Sequence, residues 1–340
     1  MFWILPPTKT LKNSVDLHPM RATYSVLISL AAGLLCSSAQ AQVALTFAWP
    51  DGLHAEVTHT VTRTQFGSAP RPAVTMTTLY DMKASKRANS VLVSFDNMRF
   101  NMESLPPSLK DADRQSIEQF AQLVLPPFVI SPSGEFLHID DAAAYRTAVL
   151  TQFAQTFSDL PDQRNPRMVL GKLLSEEQLN VMARARWNQP VGSWSDATME
   201  VGEAYDLEFR NSLPILSGQT VTVHSSIQIK DEPPCTRGGQ ARRCVRIEVQ
   251  TRPNQQELQS VLLALFKELS PNTKTAIPEM IESLDFEEDL ELITESEGLI
   301  PHVLKTSKRI VVTARNGKES ASITRMEQTT TRYRYRDTPP

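Results

Sequence analysis

Residues 53–62, Leu-His-Ala-Glu-Val-Thr-His-Thr-Val-Thr, decide the fold, because apolar and polar side chains alternate along them. A period of two places every second side chain on one face of a β-strand, so the apolar residues would share a face with His59. Valine and threonine also favour strands. The alternation returns in residues 74–82, after a turn sequence at 67–70. Residues 43–103 are therefore predicted to form a four-stranded antiparallel meander.

The middle of the chain changes to a helical period. Apolar residues three and four positions apart predict helices at residues 117–124 and 145–160. A Ser-x-x-Gln capping box at 175–178 predicts a third helix that reaches about residue 187. A short hairpin is predicted at Phe128 to Ile139, between the first two helices. This region is a helical insert within a strand-rich chain.

Strand-like alternation returns from Val191 and is interrupted by one helix, at residues 254–269. Asn254 and Glu257 would cap this helix, whose apolar stripe is Leu258, Val261, Leu262, Leu265, Phe266 and Leu269. The stripe has two interpretations, since it could fill the concave side of a curved sheet or lid a cavity for an acyl chain. The last three strands are predicted near residues 286–295, 302–314 and 319–335.

Together these segments predict an α+β fold with two regions. An antiparallel β-meander and the helical insert would occupy residues 43–188, and a curved antiparallel sheet packed on the 254–269 helix would occupy residues 189–337. About six strands in the second sheet would be enough to curl into a half-barrel. The boundary between the two regions is expected near residue 190.

Residues 1–41 have the order of a secretory signal peptide. Arg21 precedes an apolar block at residues 24–35, and small residues follow it up to Ala41. About a dozen apolar residues are too few for a helix that must cross roughly 30 Å of hydrocarbon. We therefore expect cleavage after Ala41, a periplasmic or secreted protein, and no transmembrane span in the mature chain.

A lipid anchor on Cys36 is the alternative to simple cleavage. Bacterial lipoprotein signals need a small residue immediately before the modified cysteine, so that the peptidase can accept the site. Leucine occupies positions 34 and 35 instead. The sequence thus favours cleavage, and lipidation of Cys36 stays open as the alternative.

Export would leave two cysteines, Cys235 and Cys244. In an oxidising compartment, an isolated pair so close in sequence is expected to form a disulfide. Gly238 and Gly239 between them suit a tight reversal between two strands. The two-residue spacing of redox-active pairs is absent, so the predicted disulfide is structural.

Charge and motifs exclude several function classes. The net charge of −3 at pH 7 gives no positive field that would collect nucleic acid. The chain has no phosphate-binding glycine loop, dinucleotide fingerprint, His-Glu-x-x-His or Gly-x-Ser-x-Gly motif. Its histidine spacing does not predict the three or four converging ligands of a zinc site. The sequence therefore predicts no catalytic residue, cofactor or metal and favours a non-enzymatic protein.

Three histidines are candidates for chemistry, each with a simpler structural interpretation. His138 and Asp140 would share a strand face, where the carboxylate could orient the imidazole in a hydrolase. The simpler interpretation makes Asp140 or Asp141 the N-cap of the next helix. His59, in an apolar row, is predicted to be a hydrogen-bonded core histidine, and His302 a solvated strand end.

Arginine clusters mark two places in the second half. Arg237, Arg242 and Arg243 surround the predicted disulfide, and Arg332, Arg334 and Arg336 would share one face of the last strand, opposite Tyr333 and Tyr335. Guanidinium groups bind phosphate bidentately, which would suit an anionic lipid headgroup or a glycan. Alternatively, the charges protect an edge strand from aggregation.

Two short stretches carry a family resemblance. Gln-Pro-Val-Gly-Ser-Trp at 189–194 and Glu-Gly-Leu-Ile-Pro at 297–301 resemble steps in uncharacterised bacterial secreted β-rich proteins, although the tryptophan comes one residue sooner here. In those proteins the first step opens a sheet and the second turns one long strand into the next. More distantly, residues 189–335 look like periplasmic lipoprotein-carrier folds. The resemblance implies a curved sheet lidded by helices and binding of an apolar ligand.

The leading functional hypothesis is a non-enzymatic periplasmic protein. It would bind an apolar or amphipathic ligand, such as a lipid, or an envelope protein in its C-terminal sheet. The alternatives are an envelope scaffold or interaction protein without a pocket, and a hydrolase that uses His138 and Asp140.

The signal-peptide interpretation predicts the N-terminus of the exported protein. Protein recovered from the periplasm should begin at Gln42, as N-terminal sequencing or intact mass would show, with no free thiol at Cys235 or Cys244. An intact N-terminus and free thiols on protein recovered from the cytosol would contradict this expectation.

Overall fold

The computed structural model describes six stretches of the chain, residues 41–102, 125–156, 174–212, 220–269, 281–316 and 319–336. Residues 1–40 of the predicted signal peptide lie outside the described residues. So do the helix predicted at 117–124 and the last residues, 157–160, of the helix predicted at 145–160.

Strands make up most of the described chain. They are β1 (Gln42–Ala44), β2 (Thr46–Phe47), β3 (Leu53–Gly67), β4 (Arg71–Arg87), β5 (Ser90–Met102), β6 (Phe128–Ile130), β7 (Phe136–Ile139), β8 (Thr198–Glu200), β9 (Ala204–Ser212), β10 (Thr220–Asp231), β11 (Pro234–Arg237), β12 (Gln240–Pro253), β13 (Ile281–Glu295), β14 (Glu297–Gly298), β15 (Pro301–Asn316) and β16 (Glu319–Tyr335). The helices are α1 (Ala142–Thr156), α2 (Glu176–Trp187) and α3 (Gln255–Leu269), and a π-helical turn at Asn188–Gly192 follows α2. None of these described helices is both long and apolar enough to cross a membrane.

One large antiparallel sheet contains most of the strands, in the order β7-β6-β5-β4-β3-β16-β15-β13-β12-β10-β9, and β11 pairs beside β12. At its centre β3 pairs with β16, with Ala55 opposite Tyr335 and Gly67 opposite Ile323. The prediction of two separate sheets is therefore wrong, because the sheet runs across the boundary expected near residue 190. Alternation in the sequence identifies a strand but does not identify its partner. Here β3 and β16 pair with each other although they lie near opposite ends of the chain.

The N-terminal meander has three long strands, β3 to β5, instead of the predicted four. The strand-like residues before Pro50 form the short β1 and β2, which pair with β8 and, in parallel, with β14. Val43 and Leu45 are buried there. Pro50 and Gly52, which has φ +70°, turn the chain before β3 begins.

Trp187, the last residue of α2, is the centre of the core on one face of this sheet. Its ring centroid lies 5.1 Å from that of Trp49 and 5.5 Å from that of Phe128, in edge-to-face geometry. The indole Nε1 of Trp187 donates to the carbonyl oxygen of Gly134 at 2.7 Å. These contacts hold α2 against the predicted hairpin, which is confirmed as β6 and β7. The predicted cap of α2 is also confirmed, because Ser175 Oγ accepts from the Gln178 N–H at 3.2 Å.

The step at residues 189–194 forms a helical turn, so the expectation that it opens a sheet is wrong. The Ser193 N–H donates to the carbonyl oxygen of Asn188 at 3.1 Å, and Trp194 Nε1 donates to that of Gln189 at 2.7 Å. Trp194 is buried. The chain is therefore held in a π-helical turn by its own polar groups, and strand pairing starts only at β8.

The helix predicted at 254–269 is confirmed as α3. Asn254 Oδ1 accepts from the Glu257 N–H at 3.1 Å, and the Glu257 carboxylate accepts from the Thr222 N–H at 2.7 Å, which fastens the helix to β10. Leu258 is 1% exposed and forms a small apolar cluster with Val221, Val223 and Phe286. Val261 and Leu262 pack against this cluster, whereas the side chains of Leu265, Phe266 and Leu269 lie outside the described residues.

The disulfide between Cys235 and Cys244 is confirmed. It joins β11 to β12, and the intervening Gly238 and Gly239 both have positive φ, 56° and 71°. Glycine adopts such angles at no steric cost. The disulfide therefore closes a tight hairpin beside the large sheet, as the spacing predicts.

Gly134 provides a test of the aromatic core. It has φ +85°, and a Cβ there would lie 2.6 Å from Cγ of Phe47; Gly202 has φ +87° and open space around it. Left-handed backbone costs an alanine about 1–2 kcal/mol at either position. Gly134→Ala should lose about 1–3 kcal/mol more than Gly202→Ala, because it also overpacks the core.

Urea unfolding of the two glycine variants measures this difference directly. Gly202→Ala is the matched control, because it changes the same backbone angle without the contact to Phe47. Equal free energies of unfolding for the two variants would show that Phe47 does not pack against the β6–β7 hairpin.

Candidate functional site

The inner face of the large sheet, which carries Val57, Ile247 and Leu292, packs against the Trp187 core. Two apolar clusters lie on it. The larger surrounds Trp187, and the smaller lies under α3 around Leu258. The inner face is therefore apolar at both ends of its long strands. Polar side chains lie between the two apolar ends.

A polar row crosses the inner face between the two clusters. It contains one side chain from each of six neighbouring strands, in the order Ser225, Thr251, Glu288, Lys308, Glu327 and Arg63, and each is directly opposite the next in the strand register. Side chains opposite each other on antiparallel strands have Cβ atoms about 5 Å apart, so successive members are in reach of one another. Its last four members alternate in charge.

Direct contacts join the members of the polar row in pairs. The hydroxyl oxygens of Ser225 and Thr251 are 3.0 Å apart. Glu288 Oε1 and Lys308 Nζ are 3.4 Å apart, and Arg63 Nε donates to Glu327 Oε2 at 2.6 Å. The row is thus a set of paired groups, in keeping with the cost of burying an unpaired charge.

Glu288 and Lys308 form a buried charged pair in the row, with side chains only 6% and 8% exposed. Burial raises the pKa of Glu288 above its ordinary value, an effect that the Lys308 charge only partly offsets. Glu288 Oε2 has no hydrogen-bond partner among the described residues. A cavity of about 20 Å³ beside Glu288, lined also by Asn188, Gln189 and Ser193, has room for one water molecule.

His59 lies four residues before Arg63 on β3 and on the same face, with Val61 between them, toward the Trp187 cluster. Its Nδ1 and Thr331 Oγ1 are 2.8 Å apart. Burial, aided by the nearby Arg186 charge, lowers the pKa of His59 to about 4. His59 is therefore a neutral, hydrogen-bonded core histidine near pH 7, as the sequence predicts.

A groove of about 560 Å³ lies on the inner face beside the polar row. Phe286 and Ile310 form its apolar floor and also belong to the cluster under α3. The rest of its lining is Arg63, Thr64, Gln65, Arg71, Pro72, Val74, Lys308, Arg325 and Glu327. The volume lies within the range of pockets that hold small molecules. The groove thus combines an apolar floor with a predominantly cationic rim.

The structure describes the side chains in the first half of the predicted apolar stripe on α3, Leu258, Val261 and Leu262. Leu258 is fully packed against the sheet, so that part of the helix fills the face and does not line an open cavity. The open space begins next to it, beyond Phe286 and Ile310.

The six arginines predicted to bind anions do not converge on one site. Arg237 is 3.0 Å from Glu295, Arg243 is bonded to Glu232, and Arg242 donates to Gln240 at 2.8 Å, all near the disulfide hairpin. The charges of Arg237 and Arg243 are thus matched by carboxylates, whereas Arg242 bonds a neutral amide.

The C-terminal arginines lie on the last strand. Arg332 and Arg334 are exposed on the outer face of β16, and Arg336 pairs with Glu56. The edge-strand explanation for these charges is wrong, because β16 has a partner on each side. The groove arginines Arg63, Arg71 and Arg325 are a different set.

His138 and Asp140 each have a different partner. His138 is exposed, and its Nδ1 is 3.0 Å from the carbonyl oxygen of Ile139. Both carboxylate oxygens of Asp140 accept from Arg87 at 3.2 Å, and Asp141 Oδ1 caps α1 by accepting from the Ala144 N–H at 3.1 Å. The arrangement matches the cap interpretation and does not form a hydrolytic pair.

Sequence reasoning missed the polar row, although the sequence contains a signal for it. Glu288 interrupts the apolar alternation of Leu284, Phe286, Leu290 and Leu292, and Lys308 interrupts that of Leu304, Ile310 and Val312. A buried ion pair between two strands needs one acidic residue among the inward-facing apolar residues of one strand and one basic residue among those of the other. Only the register of the β13–β15 pairing shows that they meet.

Comparison with known proteins adds little to this geometry. No protein-family model matches the chain, and no curated protein matches it significantly. A structure from Bacteroides fragilis, described as an exported protein with a YmcC-like fold, is 9% identical over 86% of this chain and 100% of that chain, with a TM-score of 0.21. An outer membrane channel from Pseudomonas putida F1 is 8% identical over 85% of this chain and 97% of that chain, with a TM-score of 0.16. TM-scores this low do not establish a shared fold or function.

Removing one member of the buried pair should destabilise the protein strongly. Lys308→Met leaves Glu288 buried without its partner and should cost about 3–5 kcal/mol of unfolding free energy. Lys305→Met is the matched control on the same strand, because Lys305 pairs with Glu291 at the exposed surface and should cost at most about 1 kcal/mol. Urea unfolding measures both.

The Lys308→Met defect should depend on pH. The folded-state pKa of Glu288 lies above its unfolded value of 4.5, so the folded protein binds this proton more tightly than the unfolded chain. The free energy of unfolding therefore falls as the pH rises from the unfolded pKa to the folded pKa. Removing the Lys308 charge raises the pKa of Glu288 further. The loss of unfolding free energy in Lys308→Met should therefore be smaller at about pH 4, where Glu288 is protonated, than at about pH 7. A defect that is equal at both pH values, or equal to that of Lys305→Met, would contradict the buried pair.

Proposed function

We propose that this protein is exported and, without catalysing a reaction, binds an anionic amphiphile in the groove on the inner face of its sheet. The observation that carries this proposal is the composition of the groove lining. Four of the lining side chains are cationic and one is a carboxylate, whereas the whole chain has a net charge of −3. The groove is thus locally positive on an acidic protein.

Two of the four cations are partly neutralised, and two are available to a ligand. Lys308 pairs with Glu288, and Arg63 pairs with Glu327. Arg71 and Arg325 are exposed and have no carboxylate partner among the described residues; Arg325 only reaches Gln65 Oε1, at 3.5 Å. A guanidinium group presents paired donors that match a carboxylate or a phosphate. Arg71 and Arg325 would therefore hold the anionic group.

The apolar part of the ligand would lie along Phe286 and Ile310. These residues continue into the cluster under α3, so the groove leads from charged residues at the rim to an apolar floor. Burying an acyl segment there contributes about 0.8 kcal/mol for each methylene removed from water. The anionic headgroup of such a ligand would match the cationic rim of the groove, and its apolar tail would match the apolar floor.

The disulfide is the structural support for export. An isolated structural disulfide persists in oxidising compartments and is rare in the cytosol. It accords with the signal-peptide expectation for residues 1–41. A ligand that is both anionic and apolar is abundant at a bacterial envelope, where such a protein would meet it.

A charge placed in the groove tests the proposal. Val74 and Leu79 are both exposed, 47% and 43%, and lie on opposite faces of β4. Val74→Asp puts a carboxylate beside the groove arginines and should weaken binding of a fluorescent fatty acid at least about tenfold, or about 1.4 kcal/mol. Leu79→Asp is the matched control and should leave binding unchanged. Fluorescence titration of the purified protein measures both affinities.

The uncharged methyl ester of the same fatty acid separates the two parts of the site. Wild-type protein should bind the acid more tightly than the ester, and raised salt should narrow the difference, because the arginines are exposed to solvent. Failure of the wild-type protein to bind the acid, or an equal effect of Val74→Asp and Leu79→Asp, would overturn the proposed function.

A further inference from the structure

A histidine lies next to the disulfide, away from the groove. Sulfur atoms of Cys235 and Cys244 and a ring nitrogen of His302 all lie within 4.8 Å of one another. Cys244 is buried in β12, His302 is the second residue of β15, and Cys235 lies on the short β11 outside the main order of the sheet. The sequence predicts a solvated strand end for His302, and the half-buried ring at this position is a correction of that expectation.

The orientation of the His302 ring is set from two sides. Glu295, whose side chain is 4% exposed, places Oε1 at 3.1 Å from His302 Nε2. The ring of Tyr335 packs edge-to-face against the imidazole, with centroids 5.7 Å apart. If Nε2 carries the proton that bonds Glu295, then Nδ1 has its lone pair free. A carboxylate behind a histidine is the usual support of a metal-binding imidazole.

We propose that reduction of the disulfide converts this cluster into a zinc site with Cys235, Cys244 and His302 as ligands. A dithiol reductant transfers two electrons and two protons to the disulfide, giving two thiols and an oxidised reductant. Zn²⁺ then binds the two sulfurs and His302, and the two thiol protons leave to solvent. Two thiolates and one imidazole are ligands that zinc prefers, and water takes the fourth position.

The charges around the cluster suit this site. Two thiolates balance the charge of Zn²⁺, and Glu295 is balanced by Arg237, whose Nε lies 3.0 Å from the same carboxylate oxygen. That contact is an ion pair by distance and lacks the angle of a hydrogen bond. The cluster with zinc would therefore carry no uncompensated charge, which a half-buried site requires.

The required movement is small. In tetrahedral zinc sites the sulfur ligands are roughly 3.8 Å apart, so the two sulfurs must separate from bonding distance. Cys244 and His302 are fixed in the large sheet, whereas Cys235 lies on a short strand that pairs, among the described strands, with β12 alone. Movement of β11 alone would open the site.

Cobalt titration tests this proposal on the purified full-length mature protein. Co²⁺ substitutes for zinc and gives an intense thiolate-to-metal absorption band when cysteine binds it. After reduction by tris(2-carboxyethyl)phosphine, the wild-type protein should bind one equivalent of Co²⁺ with that band, and added Zn²⁺ should displace it. The oxidised protein should give no band.

Variants separate the proposed ligands from their surroundings. His302→Asn should weaken Co²⁺ binding at least about tenfold, and Glu295→Gln should weaken it about 10–100-fold through loss of the support behind the ring. His224→Asn, at an exposed histidine paired with Glu208, is the matched control and should bind like the wild type. Circular dichroism of each reduced variant establishes that it is folded.

Two results would overturn the zinc site. One is a reduced, folded wild-type protein without a thiolate-to-cobalt band. The other is equal Co²⁺ affinity for the wild type and both His302→Asn and Glu295→Gln, since the band would then come from the cysteines alone. Loss of folding on reduction would also overturn it, because the site needs β12 and β15 in place.

Discussion

The pairing of β3 with β16 is the constraint on which the rest of the structure depends. It joins residues more than 250 positions apart into one continuous register. Closing a loop of that length costs about 5 kcal/mol beyond a constant, since the cost grows only with the logarithm of length. Burial of β3 side chains such as Val57 and Val61 offsets it, at about 1.5–3 kcal/mol for each side chain fully removed from water.

This pairing also assembles the candidate site. The polar row crosses it between Glu327 on β16 and Arg63 on β3, and the groove takes Arg71 from β4 and Phe286 from β13. Neither half of the chain contains a complete groove. A buried polar row in an otherwise apolar face adds little stability compared with apolar residues, so stability alone does not account for the row.

The sequence predicts the elements well and their assembly poorly. The alternation in residues 53–62, the cap at Asn254 and the Cys235–Cys244 spacing are local signals, and each is confirmed as the start of β3, the start of α3 and the disulfide. Strand partners are not local. A period of two is the same whether β3 pairs with its neighbour or with the other end of the chain, so one sheet was predicted as two.

The same limit applies to the site. Arginines close together in sequence, such as Arg332 and Arg334, are conspicuous as a cluster but lie on the outer face. Arg71 and Arg325 come together only through strand pairing, and nothing in the sequence around either one indicates it. Glu288 and Lys308 are intermediate, because each breaks a local apolar row, but their contact follows from the register of β13 and β15.

The most direct test of this account is chemical crosslinking across β3 and β16. Thr60 and Thr330 are directly opposite each other on these strands, and dibromobimane becomes fluorescent only when it bridges two thiols. Thr60→Cys with Thr330→Cys in the native protein should react to a fluorescent product, whereas Thr60→Cys with Thr324→Cys, about 20 Å apart along the sheet, should not. No product from the first pair, or equal product from both, would contradict the single sheet and, with it, the groove that the two halves form.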